Sequence, residues 1–286
     1  MNETRNTRRP LAVITASYSG LGTALTKRLA QAEYDLVLIN RDQERMNKQM
    51  QELRAANPSL SVQGVAADLS DQGAIRGAAR RVAELHSQVD LLVHNAGALL
   101  DRPVLSPLGN DVHYEVNTVA PFLLTELLRE QLAASGGATV VAVGSSAMRM
   151  ARRLDLAGLR RPEKFKKFTP YVQSKLAAAA AFQALAADYA KDGISLRVVD
   201  PGPAKTSMSK SAALPSWFRL FRRFFAAPEA GAARIYEAAT AARFADAPSI
   251  YIERGRSVPL PAAALKAETQ QGLLALLRET TERTGA

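Results

Sequence analysis

Short apolar runs separated by helical patterns recur along the chain, and few architectures satisfy that alternation. Leu11-Ala12-Val13-Ile14-Thr15 reads as a strand, followed by a Gly/Ser turn and a helix to about Ala32. Leu36-Val37-Leu38-Ile39 is a second strand, and Gln43 to Ala56 a helix stopped by Asn57-Pro58. Val62 to Val65, Leu91-Leu92-Val93 and Thr139 to Val143 follow as strands, with helices near 70–86 and 111–134 between them. Tyr171 to Lys191 is a long alanine-rich helix closed by Asp192-Gly193. Leu196-Arg197-Val198-Val199 is a sixth strand and Ser249-Ile250-Tyr251-Ile252 a seventh. Short apolar strands leave no face for water, so helices must cover both sides of the sheet. The expectation is an α/β fold: one doubly wound parallel sheet of about seven strands over residues 11–260. A basic tail (1–10) precedes it, and a helical extension of the same domain (261–286) follows.

That frame needs a core, and 286 residues at 47% hydrophobic and 22% charged supply one. Without cysteine there are no disulfides, thiolate nucleophiles or thiolate metal sites, and three scattered histidines (His86, His94, His113) suggest no metal site either. Met1 to Pro10 has no secretory apolar region, and no run approaches the ~20 residues of a membrane span, so a soluble cytoplasmic protein is expected. A net charge of +10 raises nucleic acid as a partner. The excess crowds into 149–167, where eight arginines and lysines face only Asp155 and Glu163, and into a second group from Lys205 to Arg223. No nucleic-acid-binding signature accompanies them. A solvated or ligand-steering surface is the better reading, and no nucleic acid is expected.

Tyr171 and Lys175, four apart, sit one above the other on a helix face. A phenol with a pKa of about 10 is a poor acid or base at neutral pH, and a nearby ammonium brings it into range. The pair alone is weak, because such spacings arise by chance on solvated helices. Thr15-Ala16-Ser17-Tyr18-Ser19-Gly20-Leu21-Gly22 joins the first strand to the first helix, where dinucleotide folds bring backbone close to a pyrophosphate. It lacks the first glycine of G-x-G-x-x-G, and an ordinary tight turn is the plain alternative.

The loop resembles the T-G-x-x-x-G-x-G of the short-chain dehydrogenase/reductase family, with Ala16 in place of the first glycine. Six further elements match that family in order. Asp68-Leu69 follows the third strand, where the family places an acid beside the adenine amino group. His94-Asn95-Ala96-Gly97 resembles N-N-A-G, and Asn117 stands at the family's structural asparagine. The strand Thr139 to Val143 leads to Ser145, followed by Tyr171 and Lys175. Pro201-Gly202-Pro203-Ala204-Lys205-Thr206 is similar to the P-G-x-x-x-T that clasps a nicotinamide. The resemblance runs from about Leu11 to Thr206 and implies a Rossmann-type fold binding a nicotinamide cofactor. Tyr171-Val172-Gln173-Ser174-Lys175-Leu176-Ala177, the gap from Ser145 to Tyr171 and the Asp155-Leu156 insertion resemble the family's retinol dehydrogenase-like branch.

The resemblance implies catalytic roles for Asn117, Ser145, Tyr171 and Lys175. Tyr171 passes a proton to or from the substrate oxygen, and Ser145, rather than the competing Ser146, donates a hydrogen bond to it. Lys175 binds the nicotinamide ribose and lowers the tyrosine pKa, and Asn117 holds a water. Cofactor contacts are expected from Thr15, Ser17, Ser19, Gly20, Leu21, Gly22, Arg41, Asp68, Leu69, Asn95, Ala96, Gly97, Tyr171, Lys175, Pro201, Gly202 and Thr206. At the end of the second strand Asn40-Arg41 stands where an aspartate would select NAD(H), so Arg41 favours NADP(H); the plain alternative is that it bridges Asp42 or Glu44. His94 reads as a packed turn residue, and Asp200 receives no role.

A lid is expected over about 204–226. Trp217, Leu220, Phe221 and Phe224 recur there at helical spacing with arginines between, as a helix packed on the core, an apolar cover or a membrane-surface contact. The apolar-cover reading suits a bulky hydrophobic small-molecule carbonyl, such as a polyketide, terpenoid or steroid-like compound of secondary metabolism. The basic 149–167 segment would steer an acidic substrate or carrier. The expectation is an NADPH-dependent ketone or aldehyde reductase; the other class is a nucleotide-binding regulatory or scaffolding protein without turnover. Family resemblance also implies a homo-oligomer through the helices 111–134 and 171–191, with the C-terminal helix, about Ala262 to Arg283, adding to or blocking those contacts.

Overall fold

The computed structural model describes residues 8–205, 208–215, 225–245 and 250–282. Its central strand, β1 (Leu11–Thr15), has β2 (Asp35–Asn40) and then β3 (Val62–Ala66) on one side. On the other side β4 (Leu91–His94), β5 (Thr139–Val143), β6 (Ser195–Asp200) and β7 (Tyr251–Glu253) follow in turn. All these pairings are parallel. The strand order reverses at β1, which opens a crevice at the carboxyl ends where doubly wound sheets bind ligands.

An eighth strand, β8 (Arg256–Ser257), runs antiparallel to β7, so the sheet is mixed rather than wholly parallel. Arg254 and Gly255 turn the chain at φ 50° and 84°, the geometry of a two-residue hairpin that follows strand twist. A two-residue strand carries no periodicity, which is why the pattern in the sequence stops at seven.

The helices are α1 (Gly20–Gln31), α2 (Gln43–Ala56), α3 (Gln72–Leu85), α4 (Val112–Tyr114), α5 (Ala120–Leu127), α6 (Arg129–Ala134), α7 (Leu156–Arg160), α8 (Thr169–Lys191), α9 (Pro228–Thr240), α10 (Ala262–Leu265) and α11 (Ala267–Glu282). Alternate strand residues feed two core layers. Val13 and Val37 pack with α3, α5 and α8, whereas Ile14 and Leu38 pack with α1, α2 and α9. The stretch expected as one helix over 111–134 is broken by a π turn at Glu115–Val119. There the buried Glu115 carboxylate accepts from Asn110 and Gln72 amides and the Ser106 hydroxyl. The C-terminal helix is likewise split, at Lys266. α7, inside the basic insertion, was not expected; Asp155 caps it, accepting from the Gly158 N–H.

Candidate active site

The turn after β1 is held by its own side chains and by two neighbouring strand ends. Ser19 caps α1, its Oγ accepting from the Gly22 N–H at 3.2 Å, and Gly20 lies exposed at the helix start. Asn95, just past β4, shares its Nδ2 hydrogens among the carbonyls of Ala16 (2.9 Å) and Thr15 (3.2 Å) and Ser19 Oγ (3.2 Å). Buried Thr15 accepts the Ala96 N–H on Oγ1 at 3.0 Å, tying the two loops together. At Gly22 a Cβ would lie 2.3 Å from the Ala16 carbonyl oxygen, so no side chain fits there. Ala16 sits at φ 52°, a left-handed conformation that costs an alanine about 1 kcal/mol. The methyl that replaces the expected glycine therefore adds strain and leaves the turn in place.

Ser17 corrects the expectation of a cofactor contact. It is buried, its N–H donates to Asn40 Oδ1 (2.8 Å), and its hydroxyl donates to Gln49 Oε1 (2.6 Å) while accepting from Asn40 Nδ2 (2.7 Å). Its carbonyl accepts from Gln49 Nε2 at 2.9 Å. Every polar atom of Ser17 is used within the fold, so it supports the turn from below. Sequence reasoning missed Asn40 and Gln49 in this role. The available signal was a glutamine at a core position of α2, between Met46 and Leu53.

At the end of β2, Arg41 is exposed, with Nη1 3.9 Å from Asp68 Oδ2, and bridges neither Asp42 nor Glu44. Asp42 instead caps α2, accepting from the Arg45 N–H at 3.0 Å. The Arg45 guanidinium lies 4.5 Å from the centroid of the Tyr18 ring, so two cations stand near this strand end. Asp68 also accepts from the Ser70 N–H and hydroxyl, and Leu69 packs partly buried against the core.

Past β5 the chain turns through Gly144 into a 3-10 helix, Ser146–Met150, capped by Ser145. Ser145 and Tyr171 line the same cleft, and the serine draws the Tyr171 pKa down. Tyr171 lies in the first turn of α8, which begins two residues earlier than the sequence suggested, and the Phe168 ring stacks on it at 5.6 Å. One helical turn on, Lys175 donates from Nζ to the Val143 carbonyl at 2.7 Å. Asn117 donates to the Ala98 carbonyl (3.0 Å) and Ser174 Oγ (2.9 Å) and accepts the Ala98 N–H (2.8 Å), joining the loop after β4 to α8.

Burial raises the Tyr171 pKa; Ser145 opposes this and the Asp200 charge adds to it. Burial also lowers Lys175 to about 8. Burial is the largest influence on both groups, and the Lys175 ammonium is held at the Val143 carbonyl. His94 is packed as expected: its Nε2 meets Thr125 Oγ1 at 2.8 Å, and burial lowers it to about 3.

One cleft of about 460 Å³ connects Ala16, Ser19 and Leu21 to Ser145, Tyr171 and Lys175. Leu99, Met150, Phe168, Met208 and Leu214 make its apolar wall. Pro201 and Gly202 line it as well, Gly202 at φ 80°. Thr206 and the Trp217, Leu220, Phe221 and Phe224 set lie outside the described residues. The described ends of the lid are pinned by a bridge between Ala204 and Ala226, and Ser211 Oγ donates to the Leu99 carbonyl at 3.2 Å. In the basic insertion, Arg149 pairs with Glu253 at 2.7 Å and Arg160 with Glu279 at 3.2 Å.

The family profile described as short chain dehydrogenase matches residues 10–215. The chain belongs to the short-chain dehydrogenase/reductase family. Its members are oxidoreductases acting on CH–OH groups, and this short-chain dehydrogenase falls in the retinol dehydrogenase-like branch. It is 32% identical to the mouse (Mus musculus) polyprenol dehydrogenase over 81% of this chain and 71% of that one. It is 28% identical to human retinol dehydrogenase 11 over 78% and 70%. Among solved structures, an uncharacterised protein from Mycobacterium paratuberculosis superposes with TM-score 0.74 at 23% identity, covering 96% of this chain and 94% of that one. A blue fluorescent protein from a metagenomic library, in complex with NADPH, gives 0.68 at 23% identity over 85% and 95%. Among the described residues of this short-chain dehydrogenase, no helix is long and apolar enough to cross a membrane.

Proposed function

We propose that this short-chain dehydrogenase is an NADPH-dependent oxidoreductase that reduces the carbonyl of a bulky, apolar ketone or aldehyde, a substrate of the kind met in secondary metabolism. The observation that carries this reading is that Ser145, Tyr171 and Lys175 meet in one cleft whose remaining wall is largely apolar. The cleft joins a glycine-bearing helix start to those residues, which suits an extended dinucleotide. When bound, the nicotinamide supplies the hydride.

The chain's own residues do the rest. Burial keeps the Tyr171 hydroxyl protonated at neutral pH, as a proton donor to a carbonyl oxygen must be. Ser145 donates a hydrogen bond to the same oxygen as charge develops on it. Lys175 binds the nicotinamide ribose, and its positive charge offsets the negative charge left on Tyr171 as the proton departs. Asn117 holds a water that connects Lys175 to solvent. Ser19, Gly20, Leu21, Gly22, Asn95, Ala96, Gly97, Pro201 and Gly202 line the cofactor path, with Asp68 and Leu69 at the adenine end. Arg41 and Arg45 favour a 2′-phosphate as charge-assisted partners. The polyprenol and retinol names of the relatives support an apolar substrate.

Binding and turnover test the two halves. Wild type is expected to bind NADPH more tightly than NADH, with the preference lost in Arg41→Ala; a wild-type preference for NADH sinks the cofactor assignment. Tyr171→Phe is expected to lose about 10²–10⁴-fold in turnover on a panel of apolar ketones while keeping NADPH affinity. Tight NADPH binding with no wild-type turnover on the whole panel would favour a nucleotide-binding regulatory protein instead.

A further inference from the structure

Asp200, the last residue of β6, is the one acidic group lining the cleft among the described residues. It is only 4% exposed and lies on the same face of β6 as Leu196 and Val198, the face that α8 covers. Its Oδ1 accepts the Gly202 N–H at 3.0 Å. Its Oδ2 is sealed from solvent with no hydrogen-bond partner among the described residues. A half-satisfied buried carboxylate weakens a fold, and such groups gather where charge is used. Since Oδ2 is closed off, its influence on the cleft is through its field, which low dielectric strengthens.

Charged and titratable groups surround it on every side. α8 brings Tyr171 and Lys175, and β7 brings Tyr251 and Glu253. Arg254 comes from the β7–β8 turn, its N–H donating to the Asp200 carbonyl, and its side chain lines the cleft. Arg149, from the 3-10 helix after β5, is already paired with Glu253. Arg234 of α9 donates to the Pro201 carbonyl at 2.6 Å.

We propose that Asp200 is the charge-selecting residue of the cleft: its fixed negative charge favours the cationic, oxidised nicotinamide over the neutral, reduced ring. The inference rests on the nicotinamide reading above. Its consequence is directional, because holding the oxidised ring better pulls hydride transfer toward carbonyl reduction on the protein. The same field raises Tyr171 and so helps it keep its proton until a carbonyl takes it.

Titration calorimetry with NADP⁺, NADPH and 2′,5′-ADP, which has no nicotinamide, tests the proposal on wild type and Asp200→Asn. The amide keeps an acceptor for the Gly202 N–H. The preference for NADP⁺ relative to NADPH is expected to fall about tenfold, with 2′,5′-ADP affinity unchanged. An unchanged ratio overturns the proposal, and so does equal weakening of all three ligands, which would mark a merely structural role. Where Asp200→Asn fails to fold, Asp200→Ser removes the charge with a smaller side chain, and the same ratio is read. Wild type binding neither NADP⁺ nor NADPH would sink the cofactor reading itself, and this inference with it.

Discussion

Lys175 carries the site's clearest stability signature. Burial lowers its pKa from 10.5 to about 8, so between those values the unfolded chain holds a proton that the folded chain has released. Folding stability therefore rises with pH across that window. Below pH 8 the cost of the buried ammonium is fully present, about 3 kcal/mol from the gap in pKa. The free energy of unfolding of wild type should climb relative to Lys175→Met as pH goes from 8 to 10.5; denaturant titrations that run parallel would contradict this. A neutral side chain of similar length there is expected to stabilise the fold.

Among the elements, the turn between β1 and α1 gives the sharpest contrast between two neighbouring small residues. Ala16→Gly removes left-handed strain and is expected to raise stability by up to about 1 kcal/mol, read as a higher melting temperature. Gly22→Ala puts a methyl 2.3 Å from a backbone oxygen and should abolish tight cofactor binding. Wild-type affinity in Gly22→Ala would mean that the turn is more yielding than its contacts suggest. The turn's position and its glycines were legible in the sequence, because strand and helix periodicities bracket it. The family resemblance singled out Ser145, Tyr171 and Lys175, and the structure brings the three to one cleft. The inward orientation of Ser17 was not legible, since only the packing of α2 against β2 brings Gln49 to it. Nor was the π turn at Glu115–Val119, which depends on donors from Gln72, Ser106 and Asn110 gathering around one buried carboxylate.

Over the whole molecule, the C-terminal pair α10 and α11 lies against α8, one of the two long helices on which the family resemblance placed subunit contacts. Leu273 and Leu277 of α11 are fully buried, and Tyr114 and Thr280 meet through their hydroxyls at 3.3 Å. Leu277→Ala is expected to destabilise the fold by about 2–5 kcal/mol in chemical denaturation. A loss below about 0.5 kcal/mol would show that α11 is only loosely laid on. The helix that carries Tyr171 and Lys175 thus has a covering supplied by its own chain. A tethered helix keeps a constant effective concentration at its partner, so dilution cannot strip this cover as it can strip a second subunit. Tyr171 and Lys175 therefore keep this backing even in a single dilute molecule.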